Sequence, residues 1–339
     1  MIDLLLEWVI KIGVIVFVIL TAVAYLSFVE RQVASWIQLR VGPNRVGPWG
    51  LLQPAADGLK FIFKEDIIPT EANRMVYLLA PAVAVIPALM TLVVIPFGSS
   101  ITLFGREITL HVTSINVGLL YIFALTSLGV YGVVLAGWSS NNKYSMMGSL
   151  RSSAQMISYE LAFGLAIVSV LLWAGSLDLV EIVQAQAGTW FGFLPRWNIF
   201  LLPFGFIIFF IAALAETNRV PFDLPEAEAE LVAGYFTEYS SMKFAMFFMA
   251  EYINLITSTS ISTALFLGGW NGPLIDRYPI LTLVWFGLKV AVLILIIMWI
   301  RFTLPRFRYD QLMRFGWKVL LPAALANVVL AATMVLLTR

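Results

Sequence analysis

Eight runs of apolar residues, each close to the length a helix needs to cross a bilayer, divide this 339-residue chain. They fall at roughly 5–28, 77–98, 115–138, 155–175, 197–216, 244–267, 279–300 and 318–338. A helix rises about 1.5 Å per residue, so about 20 residues cross the ~30 Å hydrocarbon layer. Inside lipid a backbone must satisfy its own hydrogen bonds, which selects helices here. Hydrophobic residues make up 60% of the chain and charged ones 12%, too few for a water-soluble surface. The expected fold class is all-α and polytopic: eight transmembrane helices in a single membrane domain over 1–339, with structured loops on one side. Asp3 and Glu7 precede the first run, where a secretory signal carries positive charge, so that run reads as a retained span. Pro81, Pro87 and Pro96 predict kinks in the second.

Charge sets the orientation. Of the 21 Lys and Arg residues, fifteen fall on one side of the runs, from Arg31 to Lys318. Arg106, Arg196, Arg277 and Arg339 fall on the other, and Lys11 and Lys289 lie within runs. The cation-rich side reads as cytoplasmic, so both termini face outward.

The first cytoplasmic connection, 30–76, reads as a platform and not a tether. Val33, Trp36, Ile37 and Arg40 recur at helical spacing, which suits an amphipathic helix lying in the membrane interface. A turn-rich segment follows, Val41-Gly42-Pro43-Asn44-Arg45-Val46-Gly47-Pro48-Trp49-Gly50. Helical spacing then returns over Leu51 to Phe63, with Asp57 and Lys60 three apart. Such a platform could hold a lipid-like tail against its apolar residues while Arg31, Asp57 or Lys60 meets a polar head. The plainer alternative is an interfacial anchor of Trp and Arg.

Acids are concentrated. Six of the 20 Asp and Glu residues lie between 216 and 238: Glu216, Asp223, Glu226, Glu228, Glu230 and Glu238. Arg219 is the only cation there. The loop expected over 217–243 contains Pro225, well placed to open a helix whose dipole would favour two or three nearby acids, but not six. Glu160 and Glu251 fall inside the fourth and sixth runs, and Glu216 ends the fifth. A charge at the centre of a span costs roughly 2.5–3.5 kcal/mol, so such residues usually face water, pair for structure, or exchange protons.

Several chemistries are excluded. With no Cys, the chain cannot hold a thiolate-ligated iron–sulfur cluster or zinc, and its one His, His111, rules out a multi-histidine site. No phosphate-cradling glycine loop, dinucleotide fingerprint or nucleophile elbow is present. The expectation is a chain holding no metal, flavin or iron–sulfur cluster, with no nucleic-acid partner.

Two segments carry a resemblance. Gly50-Leu51-Leu52-Gln53-Pro54-Ala55-Ala56-Asp57-Gly58-Leu59-Lys60 and Pro221-Phe222-Asp223-Leu224-Pro225-Glu226-Ala227-Glu228-Ala229-Glu230-Leu231-Val232-Ala233-Gly234 resemble signatures of the NuoH family, the membrane heel component of respiratory complex I. Phe28-Val29-Glu30-Arg31, Gly42-Pro43-Asn44-Arg45-Val46-Gly47 and Met249-Ala250-Glu251-Tyr252 are similar too. The resemblance covers essentially the whole chain. It implies a subunit of the proton-pumping NADH–quinone oxidoreductase, with ubiquinone or menaquinone as substrate. It implies partner subunits that carry the iron–sulfur centres and hold the quinone head, small membrane subunits, and antiporter-like subunits. It also implies a bacterial inner membrane, with the mitochondrial inner membrane as the other setting. Glu30, Arg31, Trp36, Asp57, Lys60 and Phe222 are the expected quinone-cavity residues. Asp57, Glu160, Glu216, Asp223, Glu226, Glu228, Glu230 and Glu251 are the expected proton relay, with Arg31, Arg151 and Arg219 setting its charge; no catalytic residue is expected in this chain. A homologous subunit of a hydrogenase or of a ferredoxin- or F420-linked complex shares the fold and part of these motifs. A stand-alone ion transporter is the alternative from another class.

Overall fold

The structure, a computed structural model, describes residues 2–103, 106–190, 194–223, 232–275 and 277–338. It is an all-α membrane protein. Its helices are α1 (Ile2–Ile37), α2 (Gln53–Phe63), α3 (Arg74–Thr91), α4 (Gly118–Ser139), α5 (Lys143–Ala174), α6 (Leu179–Ala185), α7 (Asn198–Leu201), α8 (Pro203–Glu216), α9 (Ser241–Phe266), α10 (Leu281–Thr303), α11 (Tyr309–Phe315) and α12 (Leu321–Thr338). Two small antiparallel hairpins, Ser100–Leu103 with Arg106–Thr109 and Thr189–Trp190 with Leu194–Pro195, are the strands among the described residues.

Among the described residues seven helices, α11 and α12 counting as one, are long and apolar enough to cross a membrane. The fifth run of the sequence departs from a full-length span. Leu202 leaves helical geometry (φ −125°, ψ 56°) and Pro203 has no N–H to continue the ladder, so the run folds as the four residues of α7 and the 14 of α8. The second run is shorter than its apolar stretch: α3 holds Pro81 and Pro87 but ends at Thr91, leaving Pro96 outside. The expected interfacial helix over 30–40 is also absent as a separate element. Those residues continue α1 to Ile37, and the chain first turns at Leu39, with φ 51°. The second half of the platform does form its own helix, α2.

Helix ends follow local chemistry. Asn142 and Asp178 cap α5 and α6 through bonds from Tyr144 N and Val180 N, both at 2.9 Å. Gly175, at φ 74°, ends α5 in the left-handed turn that suits glycine.

α9 lies in the interior, against α1, α2, α3, α6, α7, α8 and α10. Its buried Ser and Thr hydroxyls turn back on their own helix: Ser258 and Thr259 donate to Leu255 O, and Thr263 donates to Thr259 O. That satisfies polar groups where lipid and core offer no water. α5 is held by α4, α8 and α12. Tyr159, Phe163, Phe209 and Phe266 fill the space between these helices.

Connections gather at two opposite ends. At the cation-rich end, Lys243 pairs with Asp66 (2.8 Å), Ser241 donates to Phe61 O and Asn142 donates to Glu238 (2.5 Å). At the other end, Lys11 donates to Thr109 (3.0 Å) and Asn271 donates to Val183 O. There Lys289 of α10 donates to the carbonyls of Leu267, Gly269 and Asn271 at 2.7–2.8 Å and sits over the Trp197 ring. This satisfies a lysine buried within a span and caps the C-terminus of α9 with positive charge.

A charged cavity and a chain of acids

α1, α2, α9 and the end of α10 enclose an open cavity of ≈ 650 Å³. Leu20, Val23 and Ala24 on α1, Phe61 on α2, and Phe244, Phe248 and Met249 on α9 give it apolar walls. Glu30, Arg31, Asp57, Lys60 and Arg301 place charge on the same cavity. α1 supplies Glu30 and Arg31 because it stays helical past the apolar run. α2 supplies Asp57 and Lys60 because their spacing of three puts both on one face. Arg31 donates to Asp57, Gln53 donates to its other oxygen (3.2 Å), and Lys60 lies 3.6 Å away. Burial pushes the Asp57 carboxyl up, but the Arg31 hydrogen bond and charge, with help from Gln53 and Lys60, outweigh it and hold the group below its ordinary range.

Behind the cavity lies a buried ion cluster. Glu30 is 6% exposed and accepts from Arg219 (3.1 Å), from the Tyr252 hydroxyl (2.7 Å) and from Arg301. Arg219, also buried, stacks over the Tyr252 ring at 4.4 Å. Asp223 is buried and pairs with Arg306 (3.0 Å), whose charge reaches Arg301. Among the described residues two carboxylates thus face three guanidiniums, which leaves that described cluster net positive beside the cavity. Gln155 Nε2 anchors the approach to the acidic loop by donating to Ala215 O and Phe222 O, both at 2.7 Å.

A second, much smaller cavity of ≈ 30 Å³ lies among α3, α4, α5, α8 and α9, with room for one or two water molecules. Glu216, Glu251, Tyr235, Asn218 and Asn254 are among its walls. Tyr235 donates to Glu251 (3.2 Å), and one Glu216 oxygen is buried without a hydrogen-bond partner among the described residues. Glu160 acts electrostatically on Glu216 and accepts a hydrogen bond from Ser127. Three acids from α5, α8 and α9, far apart in sequence, are thus brought together: Glu216 and Glu251 on the wall of one small cavity, and Glu160 within electrostatic reach of Glu216.

Not every expected residue joins these sites. Phe222 is buried between Tyr159 and Phe307, each ring 5.6 Å away, and is not on the large cavity's wall. Trp36 is 70% exposed and also off that wall, because α1 turns it outward. Arg151 lies over the Tyr309 ring, toward α11. Glu226, Glu228 and Glu230 lie outside the described residues. Conversely, the sequence marks Arg301 and Arg306 only as loop-side cations and does not point to Tyr235 or Gln155 at all. For Tyr252 the one signal is its adjacency to Glu251 in a motif already singled out.

Comparison with known proteins gives a consistent answer. The family model described as NADH dehydrogenase matches residues 10–332. An NADH-quinone oxidoreductase subunit of Koribacter versatilis is 54% identical, the match covering 97% of this chain and 96% of that protein. An NADH-quinone oxidoreductase subunit of Geobacter metallireducens is 52% identical, covering 96% of each chain. Another, from Protochlamydia amoebophila, is 54% identical over 92% of each.

Proposed function

Because the chain belongs to the NADH dehydrogenase family of membrane subunits, that of NuoH, we propose that it forms the lipid-side half of a quinone cavity and couples quinone reduction to proton movement through its buried acids. It is a multi-pass membrane subunit of an NADH–quinone oxidoreductase. In this reading its partners are the other subunits of the complex, its setting is a bacterial inner membrane, and both termini face outward.

The observation that carries the reading is the ≈ 650 Å³ cavity between α1, α2 and α9, apolar along its walls and charged where Glu30, Arg31, Asp57 and Arg301 meet it. A quinone has that shape of polarity: a long apolar tail and a small polar head. Cavities of about 300–1,000 Å³ with a few convergent polar groups are usual for small-molecule sites. The tail packs against Val23, Ala24, Phe244 and Phe248, and the head passes the Glu30–Arg301 cluster on its way to partner subunits. Electrons come from those partners. Quinone takes two electrons and two protons to become quinol, so negative charge develops beside the net positive cluster before protons arrive. That change alters which of Glu251, Glu216 and Glu160 hold protons, with Tyr235 and the small polar cavity linking them. Arg219 stays bound to Glu30 and holds the loop entrance in register.

Ala24→Trp, which fills the cavity wall, tests the entry route. Reduction of a long-tailed quinone should fall about tenfold while NADH oxidation by a water-soluble acceptor is unchanged; equal activity with the long-tailed quinone would overturn the route. Glu216→Gln should lower quinone reduction and pumping together in a fully assembled complex, and undiminished pumping would sink the relay.

A further inference from the structure

The last membrane helix runs from Tyr309 to Thr338 through a π-helical turn at Gly316–Leu320. Leu312, Gly316, Leu320, Ala324, Asn327 and Ala331 form its buried line. The opposite face changes character along its length. Arg314, Trp317 and Lys318 are exposed near its start; Leu325 and Val329 are exposed about two and three turns on from Lys318. The π turn inserts a residue into the helical repeat. It falls where Trp317 and Lys318 must stand outward while Gly316 lies against the Tyr159 ring. Trp317 is fixed although half exposed, because its indole donates to Ser158 of α5 at 3.2 Å.

The charges here are one-sided. Between 301 and 318 stand Arg301, Arg306, Arg308, Arg314 and Lys318 against one acid, Asp310. Arg301 and Arg306 are engaged by Glu30 and Asp223, and Arg308 takes Asp310 at 3.3 Å. Among the described residues no carboxylate pairs with Arg314 or Lys318. Two cations with no carboxylate partner among the described residues, an interfacial Trp held by a hydrogen bond and an apolar column beneath them match one class of molecule.

We propose that Arg314, Trp317 and Lys318 bind the headgroup of an anionic phospholipid whose acyl chain lies along Leu325 and Val329. A zwitterionic head would bring its own cation to a place where, among the described residues, the one acid of the segment, Asp310, is already taken by Arg308. An anionic head gains about 1 kcal/mol per nearby cation, within a Debye length of the membrane surface. The site also reaches the ion cluster. Tyr159 of α5 donates to Leu312 O (3.0 Å), Phe315 stacks on Phe307, and Phe307 packs on Phe222, one residue before Asp223. A lipid that steadies the start of this helix therefore steadies the segment on which Arg306 meets Asp223.

The test uses the assembled complex in lipid nanodiscs. Trace phosphatidylglycerol or phosphatidylcholine carrying a photoreactive acyl chain is added, and labelled peptides are mapped. Residues 321–330 should be labelled about tenfold more by phosphatidylglycerol than by phosphatidylcholine at low salt, with the ratio falling toward one at 1 M salt. Arg314→Gln with Lys318→Gln should bring the ratio toward one without salt, and Asp310→Asn should not lower it. Equal labelling by the two lipids in the unaltered complex would mean ordinary solvating lipid and would overturn the proposal. Absence of labelling by either would mean that protein covers this face, and would overturn it equally. The readout is binding, so its failure is separable from failure of the quinone reading.

Discussion

Replacing Glu30 by Gln tests the buried ion cluster directly. The carboxylate is 6% exposed and accepts from Arg219, Tyr252 and Arg301. Gln keeps the shape and one acceptor oxygen but removes the charge that balances two guanidiniums. Breaking a buried ion pair by removing one partner costs about 3–5 kcal/mol, mostly from the charge left behind. Arg219 is as buried as Glu30 and bears the full effect, whereas Arg301 opens onto the cavity and can recover hydration. The lower end, about 3 kcal/mol, is therefore expected. The assay is unfolding of the solubilised chain in mixed detergent–SDS micelles, followed by tryptophan fluorescence, as a double-mutant cycle. Arg219→Met is expected to be costly alone, and less costly when Glu30 is already Gln, because the stranded charge is gone. A coupling energy of about 1.5 kcal/mol or more is expected for such a close charged pair. Additive effects, within about 0.5 kcal/mol, would refute the reasoning and mean that Glu30 and Arg219 do not meet as described.

Three further outcomes follow from single contacts. A methyl group at Gly148 would lie 2.6 Å from Gly234 Cα, and since that neighbour is backbone, Gly148→Ala should cost about 1–3 kcal/mol and lower the yield of assembled complex; wild-type yield would contradict the close packing of α5 on the 234–236 turn. Lys289→Met leaves three buried carbonyls at the end of α9 without their donor, and should destabilise the chain by at least about 2 kcal/mol in the same micelle assay, with Lys289→Arg recovering only part of the loss. For Asp57 the folded carboxyl is held below its ordinary value, so its contribution is complete above that value and is lost as pH falls through the lower, folded one. The protection of α2 amides, after correction for the pH dependence of intrinsic exchange, should accordingly be flat from pH 8 to about 5 and fall only in stronger acid; a fall already between pH 7 and 6 would contradict the Arg31–Asp57 lock.

The membrane class and most helices were legible because a bilayer enforces long apolar runs that no local signal needs to refine. Where the expectation erred, the presence or absence of a helix breaker decided. The stretch from Phe28 to Ile37 contains no Gly or Pro, so nothing ends α1 at the membrane surface; the breakers come later, at Gly42 and Pro43. Pro203 shortened the fifth run in the opposite sense. The acids were visible as a composition anomaly, but their partners were not. Glu30 meets Arg219, Tyr252 and Arg301 across 189 to 271 residues, and no periodicity encodes such a pairing. Phe222 lies off the large cavity's wall, between Tyr159 and Phe307, and nothing in its motif distinguishes an aromatic that packs in a core from one that lines a cavity.

The unbroken α1 has a mechanical meaning. Its 36 residues extend about 54 Å, well beyond a hydrocarbon layer of about 30 Å. Glu30 and Arg31 sit on a strut that continues a further turn and a half to Ile37; Val33, Ala34 and Ser35 of that end are buried, and Trp36 and Ile37 project from it. A hinge at residue 29 would insulate the cavity wall from whatever grips that projecting end. A continuous rod does the reverse. A partner that tilts residues 32–37 swings Glu30 and Arg31 with them, and a molecule wedged against Leu20 or Ala24 pushes back on the partner. The cavity wall and the handle that could open it are one rigid body.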